Sequence, residues 1–294
     1  MEIRRVLLAS KVTLYELFGV RRRDQRLLTL VETRAPIVAK VEASHRETVR
    51  SREVVLAALG RAGVRVSTGG RSRPVADGRF DLIVVLGGDE TVLDVARNVT
   101  STPILAVNSS PTASVGHFCL VTADAFEEAF SAVREGRSVP SELARIRVRV
   151  DGEEHPHTAL NDVLFAHTMT AATSRYNLRI GRDEEEQKSS GVWVSTAAGS
   201  TAAMRSAGGT VLDPFDRRLQ YRVREPFYAT GRPPALRLLH GLVGGDGVTI
   251  VSRMMHGGVY LDGRRTTVLA RYASRVDLTP DAPPLRIFLP ERKR

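Results

Sequence analysis

A continuous apolar run over residues 82–86 constrains the fold more than any other feature, because it ends abruptly in Gly87-Gly88-Asp89. An uninterrupted run of this length predicts a strand buried on both faces, as in a parallel sheet. Residues 92–96 then place apolar side chains at helical spacing. The segment therefore predicts a buried strand, a tight turn and the start of a helix.

The acid at the end of this run is a candidate functional residue. Ligands of open α/β sheets bind outside the carboxyl ends of the strands, where Asp89 would stand. Gly87 and Gly88 let the backbone approach a phosphate closely, and the start of a helix favours its negative charge. Asp89 is thus a candidate base or metal ligand beside a phosphate. A Gly-Gly-Asp sequence also fits an ordinary turn, so this stretch alone leaves both interpretations open.

Strands and helices alternate through the first half of the chain, which predicts a parallel α/β domain. Ser44-His45-Arg46-Glu47 has the spacing of a capping box, so a helix is predicted to start at Ser44. The arginine-rich residues 19–43 show no clear period and are predicted to form a connection. The other predicted elements are strands at residues 4–10, 64–66 and 103–108, a loop containing Gly69, Gly70 and Pro74, and a helix at residues 124–135.

The pattern changes near residues 139–141. Residues 145–150 alternate strictly between charged and apolar side chains, and Asp151-Gly152 is a strong hairpin turn. Short strands separated by turns predict an antiparallel, sandwich-like second domain, and the acidic run at residues 183–186 is predicted to be a solvated turn. Further strands are predicted at residues 159–166, 176–180, 192–195, 235–239, 248–252, 258–261 and 275–278. The predicted domains are residues 1–139, joined by a tail at about 280–294, and residues 140–279.

Composition excludes several classes of protein. With 294 residues, 42% of them hydrophobic, the chain can build two cores, and no apolar run is long enough to span a membrane. Charges interrupt the first twenty residues, so no signal peptide is expected, and the single cysteine, Cys119, fits a reducing cytoplasm. The 43 basic and 33 acidic residues give a net charge of +10, but the arginines are scattered and aromatics are only 5%. Nucleic-acid binding is therefore not expected.

Two further stretches carry candidate binding groups. Ser195 to Gly209 is rich in small and hydroxyl residues, and a helix starting near Ser200 would point free N–H groups at an anion. A tightly packed strand-to-helix crossing explains the same residues. Asn161-Asp162 offers an amide and a carboxylate that can hold sugar hydroxyls or a base edge, although such residues also cap turns.

Other common sites are missing from the sequence. The chain has neither a Walker phosphate loop nor a Gly-x-Gly-x-x-Gly motif after a strand, and its seven histidines form no metal-spaced cluster. Cys119 lies in an apolar setting that indicates packing.

Several motifs follow one another in a fixed order along the chain. They are Gly87-Gly88-Asp89, Asn108 with Gly116-His117-Phe118, Asn161-Asp162, Ser195-Thr196 with Gly199-Ser200-Thr201-Ala202, and Ser206-Ala207-Gly208-Gly209. This order resembles that of the NAD kinase family, over about residues 4–290. Segments from Val107 to Leu120 and from Gln187 to Gly191 resemble the branch that includes mitochondrial NAD kinases.

The resemblance implies a Rossmann-like α/β N-terminal domain, a β-rich C-terminal domain and a final strand near residues 285–289 that returns to the first. It implies Mg²⁺-dependent transfer of the γ-phosphoryl group of ATP to the adenosine 2′-hydroxyl of NAD(H), in a homo-oligomer. Phosphoryl transfer needs positioning, charge neutralisation and a carboxylate to take the hydroxyl proton.

The resemblance also implies a role for each matching residue. Asp89 would be the general base, with Gly87 and Gly88 near phosphate. Residues implied to contact the nucleotides are Asn108, Asn161 and Asp162, Ser190, and, on the adenosine side, Thr201, Ala202 and Ser206. Lys188 is a candidate phosphate contact, although an exposed lysine beside an acidic run explains it equally well.

Several positions depart from the family pattern. Glu90 replaces a glycine, so about 1 kcal/mol or more of repulsion would oppose a phosphate there unless Mg²⁺ bridges the two groups. We hypothesise that Glu90 helps to hold the metal. Ser190 replaces the usual aspartate, Ala203 replaces a tyrosine that could stack on a ring, and Asp162 replaces a glutamate.

Two other functions fit parts of the sequence. A lipid kinase of the diacylglycerol or sphingosine type shares Gly-Gly-Asp, and a non-catalytic nucleotide sensor would tolerate the changes at Glu90, Ser190 and Ala203. The sequence leaves open the choice between NAD and NADH, the choice between ATP and polyphosphate, and the number of subunits.

Overall fold

The computed structural model describes residues 2–70, 78–227, 236–263 and 266–290. The chain divides into two compact units, one formed by residues 1–141 with 286–294 and the other by residues 142–285. The strands of the first half are β1 (Arg5–Ser10), β2 (Arg65–Gly70), β3 (Leu82–Gly87), β4 (Ile104–Asn108), β5 (Val121–Thr122) and β6 (Ser141–Leu143). The helices there are α1 (Gln25–Glu32), α2 (Ala39–Arg61), α3 (Asp89–Ala96) and α4 (Phe126–Arg134), with a π-helix at Tyr15–Arg21 and 3₁₀ turns at Pro36–Val38 and Ala123–Ala125.

The second half is built mainly from strands. They are β7 (Arg147–Val150), β8 (Glu153–Glu154), β9 (Asp162–His167), β10 (Ser174–Ile180), β11 (Asp183–Ser189), β12 (Val192–Ser195), β13 (Leu219–Val223), β14 (His240–Val243), β15 (Val248–Ser252), β16 (Gly257–Leu261), β17 (Thr266–Ala270), β18 (Arg275–Thr279) and β19 (Leu285–Phe288). A 3₁₀ turn at Ala198–Thr201 precedes the short helix α5 (Ala203–Ser206).

A parallel arrangement of β1, β3 and β4 forms the centre of the first sheet, whose order is β2-β1-β3-β4-β19-β6 with β5 beside β4. Every residue of β3 is buried, so the prediction of a strand covered on both faces is confirmed. Helix α2 contributes Val55, Ala58 and Leu59 to the core, and α4 contributes Phe126 and Phe130. The C-terminal strand β19 pairs in parallel with β4, as the family resemblance implies.

Three expectations for the first half are wrong. Residues 19–43 contain α1, whose N-terminus is capped by the Asp24 side chain, and the start of α2. Helix α2 begins at Ala39, after the turn that Pro36 opens, so Ser44 lies inside it. Gly69 belongs to β2 and not to a loop, and Pro74 lies outside the described residues.

The second half contains two antiparallel sheets of six strands, in the orders β11-β10-β15-β18-β7-β8 and β14-β13-β12-β9-β16-β17. Side chains from both sheets share one core, in which the rings of Phe165 and Tyr176 lie 5.4 Å apart. The expected fold class, an α/β domain followed by a β-rich, sandwich-like domain, is confirmed.

The acidic run is not a turn. Residues 183–186 belong to β11, and the turn lies just before them, where Gly181 has φ +58°. Cross-strand bonds from Asn177 and Arg179 to Glu184 hold the charged strand in place. The strand predicted at residues 235–239 is displaced to β14, and Ala235 lies outside the described residues.

Among the described residues, no helix has both the length and the apolar character required to cross a membrane.

Candidate active site

Asp89 stands at the carboxyl end of β3 and opens α3, as the sequence predicts. The backbone N–H of His117 donates to its Oδ2 (3.0 Å), and that of Phe118 donates to its Oδ1 (2.8 Å). A carboxylate oxygen can accept two hydrogen bonds, and each oxygen of Asp89 accepts one of these two backbone bonds. The side chain is therefore held in one orientation and keeps acceptor capacity for a substrate proton.

Both glycines before Asp89 are packed closely against side chains of the protein. A Cβ atom on Gly87 would lie 2.5 Å from Cβ of Thr91, and one on Gly88 would lie 2.3 Å from Oγ of Ser114. These distances are far below van der Waals contact, so a larger residue at either position would force the neighbouring side chain to move. Proximity of the two glycines to a phosphate remains a prediction.

Asn108 closes the loop that follows β4. Its Nδ2 donates to the carbonyl oxygen of Ser114 (2.9 Å), and its Oδ1 accepts from the N–H of Ser110 (3.1 Å). Gly116, with φ +70°, passes so close that a Cβ there would lie 2.7 Å from Nδ2. Asn108, the last residue of β4, thus stabilises the loop whose N–H groups bind Asp89.

Cys119 packs behind Asp89 and is not a nucleophile. Its buried Sγ approaches the carbonyl oxygen of Gly87 at 3.8 Å. Burial, reinforced by the negative charge of Asp89, raises the pKa of this thiol to about 12. The thiol stays protonated at neutral pH, which agrees with the packing role predicted for it.

In the second unit, Asp262 organises the start of β9. Its carboxylate accepts the backbone N–H groups of Leu160 (2.8 Å), Asn161 (2.7 Å) and Asp162 (3.1 Å). Burial, followed by the neighbouring charge of Asp262, raises the pKa of Asp162 to about 7. Sequence reasoning missed Asp262, because Asp262-Gly263 has the form of a turn and lies about a hundred residues from its partners.

Polar atoms beside Asp162 have unmet hydrogen-bonding capacity. Oδ1 of Asn161 and Oγ of Ser195 are buried and find no partner among the described residues. Ser195 lies directly opposite Asp162 in the pairing of β12 with β9. Buried polar groups nearly always have partners, so this cluster is suited to a ligand that carries hydroxyl or amide groups.

The motif after β12 is tightly packed. Oγ1 of Thr196 donates to the carbonyl oxygen of Leu160 (2.6 Å) and accepts from the N–H of Gly199 (3.1 Å). The helix expected near Ser200 begins only at Ala203 and has four residues, so it offers no extended row of free N–H groups. The packing explanation accounts for Thr196, Gly199 and Ser200, whose polar groups are bonded within the protein, but not for the unpartnered Oγ of Ser195. The predicted ligand residues Thr201 and Ala202 are half-buried and Ser206 is exposed.

Gly199→Ala is expected to lower the free energy of unfolding by about 1–3 kcal/mol. A Cβ atom at this position would lie 2.0 Å from the backbone oxygen of Asn161, which cannot rotate away. Urea unfolding measures the change, and Gly244→Ala is the matched control, because a Cβ there meets nothing within 4 Å. Equal stability of the two variants would contradict this account of the motif.

Lys188 and Ser190 form a third group of candidate residues, apart from Asn161, Asp162 and the motif after β12. The ammonium of Lys188 sits 3.9 Å from the centre of the Phe227 ring, so this lysine is engaged by an aromatic face. Ser190 lines a cavity of about 440 Å³ together with Trp193, Arg224 and Tyr260. Sequence reasoning noted the missing aromatic at Ala203 but not the two aromatic residues of this cavity.

The candidate residues therefore form three groups, each inside one unit. The first holds Gly87, Gly88, Asp89 and Asn108, with Glu90 exposed in the first turn of α3. The second holds Asn161 and Asp162 with the motif after β12. The third holds Lys188 and Ser190.

Comparison with known proteins gives a consistent result. The family model described as the ATP-NAD kinase N-terminal domain matches residues 20–138. A probable NADH kinase of Oryza sativa is 36% identical over 84% of this chain and 82% of its own length. An NADH kinase of Arabidopsis thaliana is 30% identical over 76% of this chain and 77% of its own.

Solved structures share the fold. An NAD kinase from Archaeoglobus fulgidus, in complex with ATP, superimposes with a TM-score of 0.67 at 20% identity, covering 98% of this chain and 94% of that one. A yeast NADH kinase complexed with NADH has the same TM-score at 15% identity, with 98% and 84% covered.

Proposed function

The chain belongs to the NAD kinase family, and from that premise we propose that it transfers the γ-phosphoryl group of ATP to the adenosine 2′-hydroxyl of NAD or NADH. The observation that carries the proposal is Asp89, a carboxylate fixed by two backbone N–H groups at the carboxyl end of a parallel strand. Relatives with this activity in their names cover most of the chain.

In the proposed reaction Asp89 takes the proton of the 2′-hydroxyl. The hydroxyl oxygen forms a bond to the γ-phosphorus, the bond from that phosphorus to the β–γ bridging oxygen breaks, and ADP leaves with the electron pair. Positioning supplies most of the rate enhancement in such reactions, and a positioned base adds about 10²–10⁴-fold. Asn161 and Asp162 would bind the hydroxyls of the dinucleotide, which would meet the unpartnered oxygen of Asn161.

Mg²⁺ is proposed as the metal that accompanies ATP. Among the described residues no group of three metal-binding side chains occurs. This fits Mg²⁺, which commonly takes one or two carboxylates and completes its shell with phosphate oxygens and water. The exposed carboxylate of Glu90, next to Asp89, is the oxygen donor that would hold it. When bound, the ion neutralises charge on the phosphates.

Glu90→Gly is expected to raise the Mg²⁺ concentration needed for half-maximal activity by about fivefold, equivalent to about 1 kcal/mol of lost attraction. A Mg²⁺ titration of the initial rate at fixed ATP measures this. Glu128→Gly is the matched control, because Glu128 also lies in the first turn of a helix and is exposed. An unchanged Mg²⁺ dependence in Glu90→Gly would exclude Glu90 as a metal ligand.

The proposal includes a homo-oligomer located in the cytoplasm, as the family resemblance and the single cysteine support. Neither the lipid kinase nor the nucleotide sensor is favoured by a specific observation, and the relatives are named as NAD or NADH kinases.

The direct test is NADP(H) formation by the purified protein with ATP and Mg²⁺. NAD and NADH are offered separately, because both names occur among the relatives, and an NADP-specific enzyme detects the product. We expect turnover with at least one acceptor. Saturable nucleotide binding without product from either acceptor would overturn the proposed reaction.

A further inference from the structure

One face of α2 is bonded to the start of the loop that follows β4. The Oε2 atom of Glu47 accepts from Oγ of Ser110 (2.6 Å), and its Oε1 accepts from Oγ1 of Thr112 (2.8 Å). One turn further along α2, Oγ of Ser51 donates to the carbonyl oxygen of Ser109 (3.1 Å). Residues 109–118, here called the β4 loop, are thus anchored at their first end by side chains of a long helix.

The other end of the same loop holds Asp89. The N–H groups of His117 and Phe118 are the donors that fix its carboxylate. Hydrogen bonds also close the middle of the loop, because the N–H of Ser114 donates to the carbonyl oxygen of Ser110 (3.0 Å). Hydrogen bonds therefore link Glu47 to Ser110 and Ser110 to Ser114, and two residues of the chain then lead from Ser114 to the donors on Asp89.

Among the residues that the structure describes, Glu47 bonds to this loop and pairs with no cation. Arg50, one turn along the helix, faces Asp124 at 3.6 Å, and both of these side chains are about three-quarters exposed. The bond from Ser110 is the main cause that lowers the pKa of the Glu47 carboxyl, so it is charged at neutral pH. Hydrogen bonds to a charged acceptor are about twice as strong as neutral ones, which makes Glu47 an effective anchor.

We propose that Glu47 is a positioning residue for phosphoryl transfer, setting the β4 loop so that the N–H groups of His117 and Phe118 orient the Asp89 carboxylate. This inference rests on the proposed function. In this role Glu47 acts through the loop and Asp89, and the proposal requires no contact of Glu47 with substrate or reacting atoms. Its loss would let the loop shift and the carboxylate rotate, and displacement of a reacting group by about 1 Å can cost about 10²-fold in rate.

The test compares Glu47→Ala and Glu47→Gln with the control Glu53→Ala, an exposed carboxylate on the same helix. If the β4 loop is partly loosened, kcat of Glu47→Ala should be about tenfold lower than that of the wild type. The KM values for ATP and NAD(H) should stay within about twofold of the wild-type values. Glu47→Gln retains one oxygen acceptor and should recover part of the loss, and Glu53→Ala should match the wild type. Amide hydrogen exchange at His117 and Phe118 should accelerate in Glu47→Ala.

An unchanged kcat in Glu47→Ala, or an equal loss in Glu53→Ala, would overturn the inference. If Glu47→Ala does not fold, Ser110→Ala with Thr112→Val removes the same two bonds from the loop side and is expected to give the same loss of kcat with KM retained. If the wild-type protein forms no NADP(H), the proposed function is wrong, but the anchoring of the loop by Glu47 is not yet tested. Exchange at His117 and Phe118 then still tests the anchoring, and unchanged exchange refutes it.

Discussion

Asp89→Asn is expected to lower kcat by about 10²–10⁴-fold, the usual contribution of a positioned base. The asparagine oxygen can still accept the N–H of Phe118, but the amide nitrogen cannot accept that of His117. One hydrogen bond is lost at a half-buried position, which costs about 1–2 kcal/mol of stability and leaves the variant folded. The lower activity of the variant is therefore expected to come from a lower kcat and not from a smaller amount of native protein.

The measurement is the initial rate of NADP(H) formation, with thermal unfolding as the check of folding. Asp124→Asn is the matched control, because Asp124 is an exposed aspartate of the same unit. We expect the control to retain the wild-type rate. A folded Asp89→Asn protein with wild-type turnover would show that another group removes the proton, and the assignment of Asp89 would be withdrawn.

The region around Asp89 could be predicted from sequence because its signals are local. The apolar run, the two glycines and the acid lie within a few consecutive positions, and burial of β3 on both faces allows no polar interruption. The start of α2 could not be placed in the same way. Ser44 has capping chemistry, but an earlier turn at Pro36 already starts the helix, and Glu47 bonds to the β4 loop in place of its own N-terminus.

Small residues mark a close approach without showing what approaches. Gly87 faces Thr91, Gly88 faces Ser114, and Gly199 faces the backbone of Asn161. In each case the neighbour belongs to the protein. Sequence alone leaves ligand and packing equally possible at such positions, and only the fold identifies the contact.

Contacts between distant segments were the least predictable. Asp262 binds three consecutive backbone N–H groups at the start of β9, yet nothing near it in sequence suggests a functional acid. The acidic run of β11 shows that close neighbours in the sequence also matter. Asn177 and Arg179 of the adjacent strand β10 hydrogen-bond to Glu184, which stabilises the charged segment as a strand and not as a turn.

Burial of Asp162, together with the neighbouring charge of Asp262, gives the second large effect, a dependence of stability on pH. The pKa of Asp162 is about 7 in the folded protein, against an ordinary value of 3.8. Between these pH values the folded state holds a proton that the unfolded state has released. The free energy of unfolding therefore falls as pH rises from about 4 to about 7, by about 4 kcal/mol in total, and is constant above that range.

Asp162→Asn should remove this dependence, because the amide is neutral at every pH and nearly equal in size. Urea unfolding of both proteins at pH 5 and pH 8 isolates the contribution of Asp162 to the free energy of unfolding, because the contributions of all other titrating groups are the same in both proteins. The wild type should lose about 3 kcal/mol more than the variant between these two pH values, from the 1.36 kcal/mol carried by each pKa unit. Asp246→Asn, an exposed aspartate of the same unit, should keep the wild-type dependence. If Asp162→Asn shows the wild-type pH dependence, the Asp162 carboxyl is already ionised at pH 5 in the folded protein, and the pH dependence does not come from its burial.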